Sequence, residues 1–269
     1  MASELLQAMI EAARVAGDRL KQDFAALSGL EVKFKNGPGD PFSEADLRAE
    51  ETVKTMLAKA YPTYGFLGEE GGLSAGENAE HVWVVDPLDG TMNFVRGVPF
   101  FAVNVALARA GEPIAGVTYV PMMDEMFWAE TGQGAFLNGQ PIRVAKTARL
   151  EDAVLAVGIP FAGKPRQEQF VHEIAQLTPR VASVRRLGAG AVDTAFVACG
   201  RFDAYWEQSV SPWDLAAGAV LVREAGGVVT NTVGGPLDIM AGNVLNCAPG
   251  IQAALLEVLR PIDGGGAAA

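Results

Sequence analysis

Apolar residues recur at helical spacing over the first sixty positions of this chain. Ser3 is a suitable N-cap, and the spacing predicts a first helix that reaches Leu27. The apolar stripe of this helix consists of Leu6, Met9, Ile10, Ala13 and Val15.

Ser43 begins a second predicted helix, in which Asp46 completes a Ser-x-x-Asp capping pattern. The predicted buried side of this second helix consists of Leu47, Val53, Met56, Leu57 and Ala60. Residues 33–41 between the helices are dense in glycine and proline, and they predict a mobile loop or a hairpin turn.

Further along the chain the spacing shortens to that of strands. Val103, Val105 and Leu107 alternate with other residues, and 114–120 and 126–129 are short β-rich runs. This pattern predicts a largely antiparallel sheet. After residue 150 strands and helices are interspersed, with predicted strands at 153–158, 203–207, 228–230 and 244–246 and predicted helices at 167–177, 188–199, 211–226 and 251–259.

These patterns divide the chain into two halves. We predict an N-terminal α+β half over residues 1–150, with two helices and a mainly antiparallel sheet that carries most of the candidate ligands. A C-terminal α/β half over 151–262 completes the fold, and the low-complexity segment 263–269 is predicted to be a disordered tail.

Composition narrows the class of protein. Hydrophobic residues make up 49% and charged residues 20% of the 269 residues, which is typical of a globular protein. The formal net charge of −11 argues against a nucleic-acid partner, although bound cations can still make a site attractive to an anion. No signal peptide or membrane-spanning run is apparent, so we expect no membrane partner. Cys199 and Cys247 lack metal or disulfide spacing, and we expect a cytoplasmic protein.

The segment from His81 to Phe94 is the most informative part of the sequence. An apolar run ends at Asp86, and because Pro87 cannot donate a backbone hydrogen bond, the strand is predicted to stop there. Asp89 and Gly90 follow in the predicted loop. Two carboxylates beside exposed amides suit a divalent cation that holds a phosphate. Ordinary turn and helix-cap chemistry accounts for the same residues, so this segment alone leaves both interpretations open.

Further carboxylates lie at the ends of predicted elements. Glu69 and Glu70 follow a short strand and precede two glycines, and Asp214 lies in the first turn of a helix. Glu207 ends the strand before that helix. Carboxylates that are brought together repel unless cations bind between them, and hard oxygen ligands suit Mg²⁺. Each acid taken singly also fits a cap, a solvated turn or a strand end.

Three segments together resemble the inositol monophosphatase family. They are Gly68-Glu69-Glu70, the Asp-Pro-Leu-Asp-Gly-Thr segment within 83–94, and the Trp-Asp helix start at 213–218 followed by Glu-Ala-Gly-Gly at 224–227. Their order and approximate spacing agree from about residue 5 to 260. The resemblance implies an αβαβα sandwich of the type shared with fructose-1,6-bisphosphatase, within the layered α+β and α/β classes. It also implies a homodimer, and Mg²⁺-dependent hydrolysis of inositol monophosphate by a metal-activated water.

The same resemblance implies roles for individual residues. The metal ligands for two or three Mg²⁺ ions would be Glu69, Asp86, the Leu88 carbonyl, Asp89 and Asp214. The catalytic residues would be Asp46, Glu69 and Thr91, of which Thr91 and Asp46 would orient or deprotonate the attacking water. The substrate contacts would be Asp89, Gly90, Thr91, Gly190 and Glu207. Lys35 falls in a loop that closes near the metals, and the family is often sensitive to lithium.

Three departures from the family pattern concern the alcohol part of the substrate. Ala45 stands where Thr or Ser is frequent, Gly190 stands where Ala is frequent, and residues 158–161 differ from the small hydroxyl residues of the animal enzymes. The substrate could therefore be a different small phosphorylated polyol or sugar. Alternatives in the same superfamily are fructose 1,6-bisphosphate, 3′-phosphoadenosine 5′-phosphate and histidinol phosphate.

Two other classes compete with this interpretation. Aspartyl-phosphate phosphatases carry Asp-x-Asp-Gly-Thr, but Asp86 and Asp89 are three positions apart rather than two, which disfavours a phosphoenzyme. A non-catalytic regulatory protein could share the fold. Loss of a metal-binding acid would be the signature of such a protein, and every acid of the pattern is present.

Overall fold

The computed structural model describes residues 2–27, 30–35, 37, 39, 41–160 and 165–261. The helices in these ranges are α1 (Glu4–Ala25), α2 (Glu44–Ala60), α3 (Thr91–Val95), α4 (Gln167–Leu177), α5 (Gly190–Ala198), α6 (Pro212–Glu224) and α7 (Gln252–Leu259). Within the same ranges, no helix combines the length and apolar character needed to cross a bilayer. Phe161 and the predicted tail 263–269 lie outside the described residues.

The first part of the chain forms a hairpin and a large mixed sheet. The hairpin, which is one of the two predicted alternatives for this segment, pairs β1 (Val32–Phe34) with β2 (Pro41–Ser43). The strands of the eight-stranded sheet are β3 (Tyr64–Gly68), β4 (Gly72–Ser74), β5 (Asn78–Asp89), β6 (Ala102–Arg109), β7 (Glu112–Val120), β8 (Glu125–Glu130), β9 (Gly134–Leu137) and β10 (Gln140–Pro141). Their order is β10-β9-β8-β7-β6-β5-β3-β4, in which only β3 and β5 are parallel neighbours among the described strands.

The second part forms a five-stranded sheet. Its strands are β11 (Val154–Val157), β12 (Ser183–Arg185), β13 (Ala204–Gln208), β14 (Val228–Thr230) and β15 (Asn243–Cys247), in the order β12-β11-β13-β15-β14. Strand β11 runs parallel to β12 and β13, whereas β15 is antiparallel to both of its neighbours.

The two sheets and the helices pack into layers, and the residues buried on each face of a sheet show which helices cover it. On β6, Val103, Val105 and Leu107 pack with α1 and α2 in one core, while Ala102 and Ala106 face a second core. That second core holds α5 and α6 between the two sheets. A third core joins the outer face of the five-stranded sheet to α4 and α7. The resulting αβαβα order confirms the predicted fold.

Helix α2 buries a different face from the one that its apolar residues predict. Leu47 is 47% exposed and Ala60 is also exposed, whereas Asp46 and Glu50 are buried. The two acids face inward because they make hydrogen bonds at the site described below, and this orientation turns Leu47 outward. In α1, Val15 is 40% exposed, because the small residues Ala12, Ala13, Ala16 and Gly17 form the contact there.

The predicted end of the central strand at Asp86 is wrong. Strand β5 continues to Asp89, with an irregularity in which Asp86 pairs with Asn104 and Asp89 pairs with Ala102. Between these two pairs β5 advances by three residues while β6 advances by two, so β5 contains a β-bulge of one extra residue. The bulge accommodates Pro87, which cannot donate to the ladder. Both carboxylates therefore belong to the strand itself.

Candidate active site

A cleft of about 630 Å³ contains most of the residues that the sequence singled out. Its walls come from the bulged end of β5, the first turns of α3, α5 and α6, the ends of β11 and β13, and the β1–β2 hairpin. The cleft therefore draws on both sheets and on the helices between them.

Three carboxylates converge in this cleft. One oxygen from each of Asp86, Asp89 and Asp214 lies within 4.8 Å of the other two. Asp86 is 2% and Asp89 is 9% exposed, and Asp214 is partly buried. Among the described residues no lysine or arginine forms an ion pair with any of the three.

Backbone amides hold each of these carboxylates in place. Asp86 accepts a hydrogen bond from the Leu88 amide at 2.9 Å, and Asp89 accepts one from the Ala191 amide in α5 at 2.8 Å. Asp214 accepts from the Ser211 amide at 2.8 Å as part of the predicted capping box. Asp214 therefore caps α6 and also belongs to the carboxylate cluster, so both interpretations that the sequence left open hold for this residue.

Burial and mutual repulsion raise the pKa of all three groups. Burial, with the charges of Glu69, Asp89 and Asp214, raises the pKa of Asp86 well above its usual range. Burial also raises the pKa of Asp89 to about 7, against the opposing effect of the Ala191 amide. The pKa of Asp214 is raised well above its usual value by burial and by the charges of Asp89 and Glu69. A cluster of this kind is stabilised by a cation that replaces the protons.

Glu69 and Glu70 lie in the turn after β3, where Lys35 of the β1–β2 hairpin contacts both. The Lys35 ammonium donates to Glu69 Oε1 at 2.9 Å and to Glu70 Oε1 at 2.7 Å. Burial lowers the pKa of Lys35, but the two carboxylates outweigh this effect and raise it overall. Burial raises the pKa of Glu70 to about 7. The hairpin lysine thus supplies a positive charge at the edge of the acidic cluster.

Asp46 and Thr91 are joined directly. The Thr91 hydroxyl lies 3.1 Å from Asp46 Oδ1 and 3.0 Å from the Leu88 carbonyl oxygen. The other Asp46 oxygen accepts from the Ser43 amide at 2.8 Å and the Ser43 hydroxyl at 2.7 Å. Burial raises the pKa of Asp46 despite these bonds. The helix cap predicted from the sequence therefore also orients the carboxylate toward Thr91.

Gly90 has a backbone conformation and surroundings that exclude a side chain. Its φ is +90°, and a Cβ would lie 2.9 Å from the Phe100 carbonyl oxygen and 3.0 Å from Ala189 Cβ. Gly90 and Thr91 form the start of α3, where helical N–H groups have no partner within the helix. Gly190, at the start of α5, and Glu207, at the end of β13, line the same cleft.

Sequence reasoning missed four buried polar residues around the site: Glu50, Asn93, Asn104 and Asp193. Glu50 accepts from the amides of Glu70 at 2.9 Å and Gly71 at 2.7 Å, and thereby holds the turn that carries Glu69. Its position four residues after Asp46, on the same helix face, was the available signal.

Asn93 and Asp193 act on the opposite wall. The Asn93 side chain donates to the carbonyl oxygens of Phe100 at 2.7 Å and Leu187 at 2.8 Å, which connects the Gly90 turn to the segment before α5. Asp193 Oδ1 is buried and has no hydrogen-bond partner among the described residues. Burial, with the charges of Asp89 and Glu207, raises the pKa of Asp193 to about 9. Asn93 follows Thr91 closely in the sequence, but only the fold places Asp193 in the cleft.

The donor set fits Mg²⁺. The clustered atoms are hard carboxylate oxygens, and the described residues that line the cleft include neither histidine nor cysteine. Since no lysine or arginine of the described chain pairs with these three aspartates, a cation would supply the missing positive charge.

Comparison with known proteins gives a consistent result. The chain matches the inositol monophosphatase family over residues 1–263. An inositol-1-monophosphatase of Caulobacter vibrioides is 48% identical over 255 residues, which cover 94% of this chain and 99% of the relative. The Nus factor SuhB of Pseudomonas aeruginosa is 40% identical over 261 residues, 96% of each chain. The crystal structure of the extragenic suppressor protein suhB from Bartonella henselae has a TM-score of 0.93 at 42% identity, and the match covers 97% of this chain and 100% of that one.

The fold and these relatives together define an enzyme of the phosphatase class. More narrowly, the chain belongs to the inositol monophosphatase family, as the sequence motifs predicted.

Proposed function

We propose that this protein is a Mg²⁺-dependent phosphomonoesterase that hydrolyses inositol monophosphate to inositol and phosphate. The observation that supports this most directly is the buried convergence of Asp86, Asp89 and Asp214 within 4.8 Å of one another, in a chain of this family. An anionic substrate would be repelled by these acids unless cations bound between them.

The metal ligands in this proposal are those that the sequence motifs indicate. Glu69, Asp86 and the Leu88 carbonyl would hold one Mg²⁺, and Asp86, Asp89 and Asp214 would hold a second. Glu69 would help to hold a third through water. When bound, the ions neutralise the phosphate oxygens, lower the pKa of water and stabilise the leaving alkoxide.

Thr91 and Asp46 would handle the proton of the attacking water. The Thr91 hydroxyl has one proton for two acceptors, Asp46 Oδ1 and the Leu88 oxygen. When it donates to Asp46, a lone pair on Thr91 Oγ1 can accept a hydrogen bond from water. The water proton can then pass to Oγ1 while the threonine proton passes to Asp46 Oδ1. The raised pKa of the buried Asp46 favours this transfer.

The remaining cleft residues would bind the two halves of the substrate. The amides of Gly90 and Thr91 at the start of α3 would donate to the phosphate. Asp89, Gly190 and Glu207 would contact the alcohol part. The homodimer and the lithium sensitivity that the resemblance implies belong to the same proposal. The cytoplasmic location expected from the sequence and the division of the chain near residue 150 belong to it as well.

Phosphate release tests the proposal. The protein is given inositol 1-phosphate with Mg²⁺, and then again with EDTA in place of the metal. Rapid release that EDTA abolishes is the expected result. If release is slow, fructose 1,6-bisphosphate, 3′-phosphoadenosine 5′-phosphate and histidinol phosphate are tested under the same conditions. Preference for one of these would replace inositol monophosphate as the substrate and leave the reaction type unchanged.

A second function is suggested by the 40% identity to a Nus factor SuhB. A protein that acts only through such a role would release no phosphate from any of these substrates. Because this chain retains every acid of the metal-binding pattern, we favour the phosphatase as the primary function.

A further inference from the structure

Glu207 lines the cleft where the alcohol part of the substrate is proposed to bind, and its carboxylate is held by the buried residue Tyr205. The hydroxyl of Tyr205 donates a hydrogen bond to Glu207 Oε2. The two residues are two positions apart on β13, so their side chains lie on the same sheet face. Tyr205 is 2% exposed and does not line the cleft, whereas Glu207 does.

Two glycines provide the space that this pair occupies. A Cβ at Gly190 would lie 2.6 Å from the Tyr205 hydroxyl oxygen, and a Cβ at Gly158 would overlap the Glu207 carboxylate. These are two of the positions at which the sequence departs from the family pattern. The departures therefore coincide with the contact between tyrosine and glutamate.

Tyr205 is suited to act as a permanent donor. Burial and the charge of Glu207 raise the pKa of its hydroxyl well above the usual value, so it keeps its proton at any pH at which the enzyme would be assayed. A hydrogen bond to a carboxylate is stronger than one between neutral groups, and it fixes the rotation of the acceptor. The plane of the Glu207 carboxylate is thus set by a residue that no substrate touches.

We propose that Tyr205 is a positioning residue, which acts through Glu207 to select phosphomonoesters whose alcohol carries a hydroxyl beside the ester. This inference rests on the proposed function and specifies how the alcohol would be recognised. A substrate hydroxyl that donates to Glu207 needs a carboxylate in one fixed orientation, since hydrogen bonds weaken as their alignment is lost. Esters without such a hydroxyl gain nothing from that orientation.

The test compares two substrates that differ only in their hydroxyls, inositol 1-phosphate and cyclohexyl phosphate. Tyr205→Phe removes the donor and keeps the ring. Tyr119→Phe is the matched control. Tyr119 is also fully buried, and its hydroxyl donates to a carboxylate oxygen, Asp124 Oδ1, over a distance of 2.9 Å. Neither of these two residues lines the cleft. We expect Tyr205→Phe to lower kcat/KM for inositol 1-phosphate by about tenfold, mainly through KM. The value for cyclohexyl phosphate and the Mg²⁺ concentration at half-maximal rate should stay unchanged. Tyr119→Phe should keep the full wild-type preference.

The outcomes separate this inference from the proposed function. If Tyr205→Phe keeps the wild-type ratio of the two kcat/KM values, or loses activity equally on both substrates, the positioning role is wrong while the proposed function stands. If the wild-type protein hydrolyses both esters with equal efficiency, or neither of them, the proposed polyol specificity fails and the inference fails with it. A selective loss in Tyr205→Phe alone supports both.

Discussion

The side-chain amide of Asn104 donates a hydrogen bond to the backbone carbonyl of Trp213 at 2.8 Å. Asn104 pairs with Asp86 in the sheet, and Trp213 directly precedes Asp214 in the chain. The Asn104 oxygen in turn accepts from the Thr118 hydroxyl at 2.6 Å. One buried amide therefore sets the position of the α6 N-terminus, and with it Asp214, relative to the acids of β5.

Asn104→Ala should destabilise the protein and also loosen the acidic cluster. Asn104 is 1% exposed, and the change removes the partner that it provides to the Trp213 carbonyl and the Thr118 hydroxyl. We expect this loss to cost about 2 kcal/mol in the free energy of unfolding. Denaturant unfolding measures that loss, and calorimetric titration with Mg²⁺ measures the weakened binding. Thr118→Val removes the hydrogen bond from Thr118 to Asn104 but keeps the one from Asn104 to Trp213. This variant should therefore lose stability but keep its Mg²⁺ affinity. Equal Mg²⁺ affinity in the two variants would contradict the positioning role of Asn104.

Asp89→Asn should remove most of the turnover and leave the fold intact. The substitution keeps the acceptor for the Ala191 amide but takes a negative charge from the cluster that we propose binds metal. We expect kcat to fall by roughly 100-fold or more, with an unchanged circular dichroism spectrum. Asp238→Asn, at an exposed aspartate whose side chain accepts from the Met240 amide, is the control for the same chemical change. A kcat near that of the wild type in Asp89→Asn would rule out the metal assignment.

Thermal stability in EDTA should fall as the pH rises from about 5 to 8. In the unfolded chain Asp89 loses its proton near pH 3.9, whereas in the fold burial keeps it protonated up to about pH 7. Between these values the folded protein binds more protons than the unfolded chain, so the free energy of unfolding decreases with rising pH. Below both pKa values the group contributes no difference, and above both the penalty is constant. The raised pKa values of Asp86 and Asp214 act in the same direction.

Mg²⁺ should reverse this trend, because it replaces the protons that the cluster would otherwise retain. Melting temperatures with Mg²⁺ and with EDTA at several pH values give the measurement. The stabilisation by Mg²⁺ should be larger at pH 8 than at pH 5, and smaller at every pH in Asp89→Asn. A gain in melting temperature that does not change with pH would show that these carboxylates are not its source.

Glu50→Gln should weaken Mg²⁺ binding without affecting the alcohol side of the cleft. Both Glu50 oxygens accept backbone N–H groups of the turn that carries Glu69, and Gln can supply only one acceptor oxygen. We expect Mg²⁺ affinity, measured by calorimetry without substrate, to fall by about tenfold. Glu51→Gln changes the exposed neighbour on the same helix and should have no effect. A loss of stability in Glu50→Gln with unaltered Mg²⁺ affinity would limit Glu50 to a structural role.

The sequence predicted the elements well where one local signal was sufficient. The Ser3, Ser43 and Ser211 caps lie where predicted, and α4 has the predicted bounds of residues 167 and 177. The sequence pattern misplaces the end of β5, because a proline usually ends a strand whereas here a bulge accommodates it. Periodicity places Leu47 inside, because it does not show that Asp46 and Glu50 need the buried face.

The candidate site was predictable in part for a similar reason. Asp86, Asp89 and Thr91 lie within one short motif, so their proximity follows from the chain itself. Asp193 reaches the cleft only through the packing of α5 on the five-stranded sheet, and Asn104 contacts the Trp213 carbonyl only through the docking of α6. Contacts of that kind depend on tertiary structure, and no pattern within a single segment contains them. The roles of the individual site residues stay predictions until the variants above are measured.

The three clustered aspartates are made at very different times during synthesis. Asp86 and Asp89 emerge on the ribosome long before Asp214, which follows more than a hundred residues later. Until α6 has been made and has docked on β6, the two earlier acids lack their third member and have no complete place for an ion. A cation that binds only the finished cluster draws the folding equilibrium toward the complete chain. Mg²⁺ would therefore bind to the aspartate cluster only after both halves of the chain have assembled, and before any substrate binds.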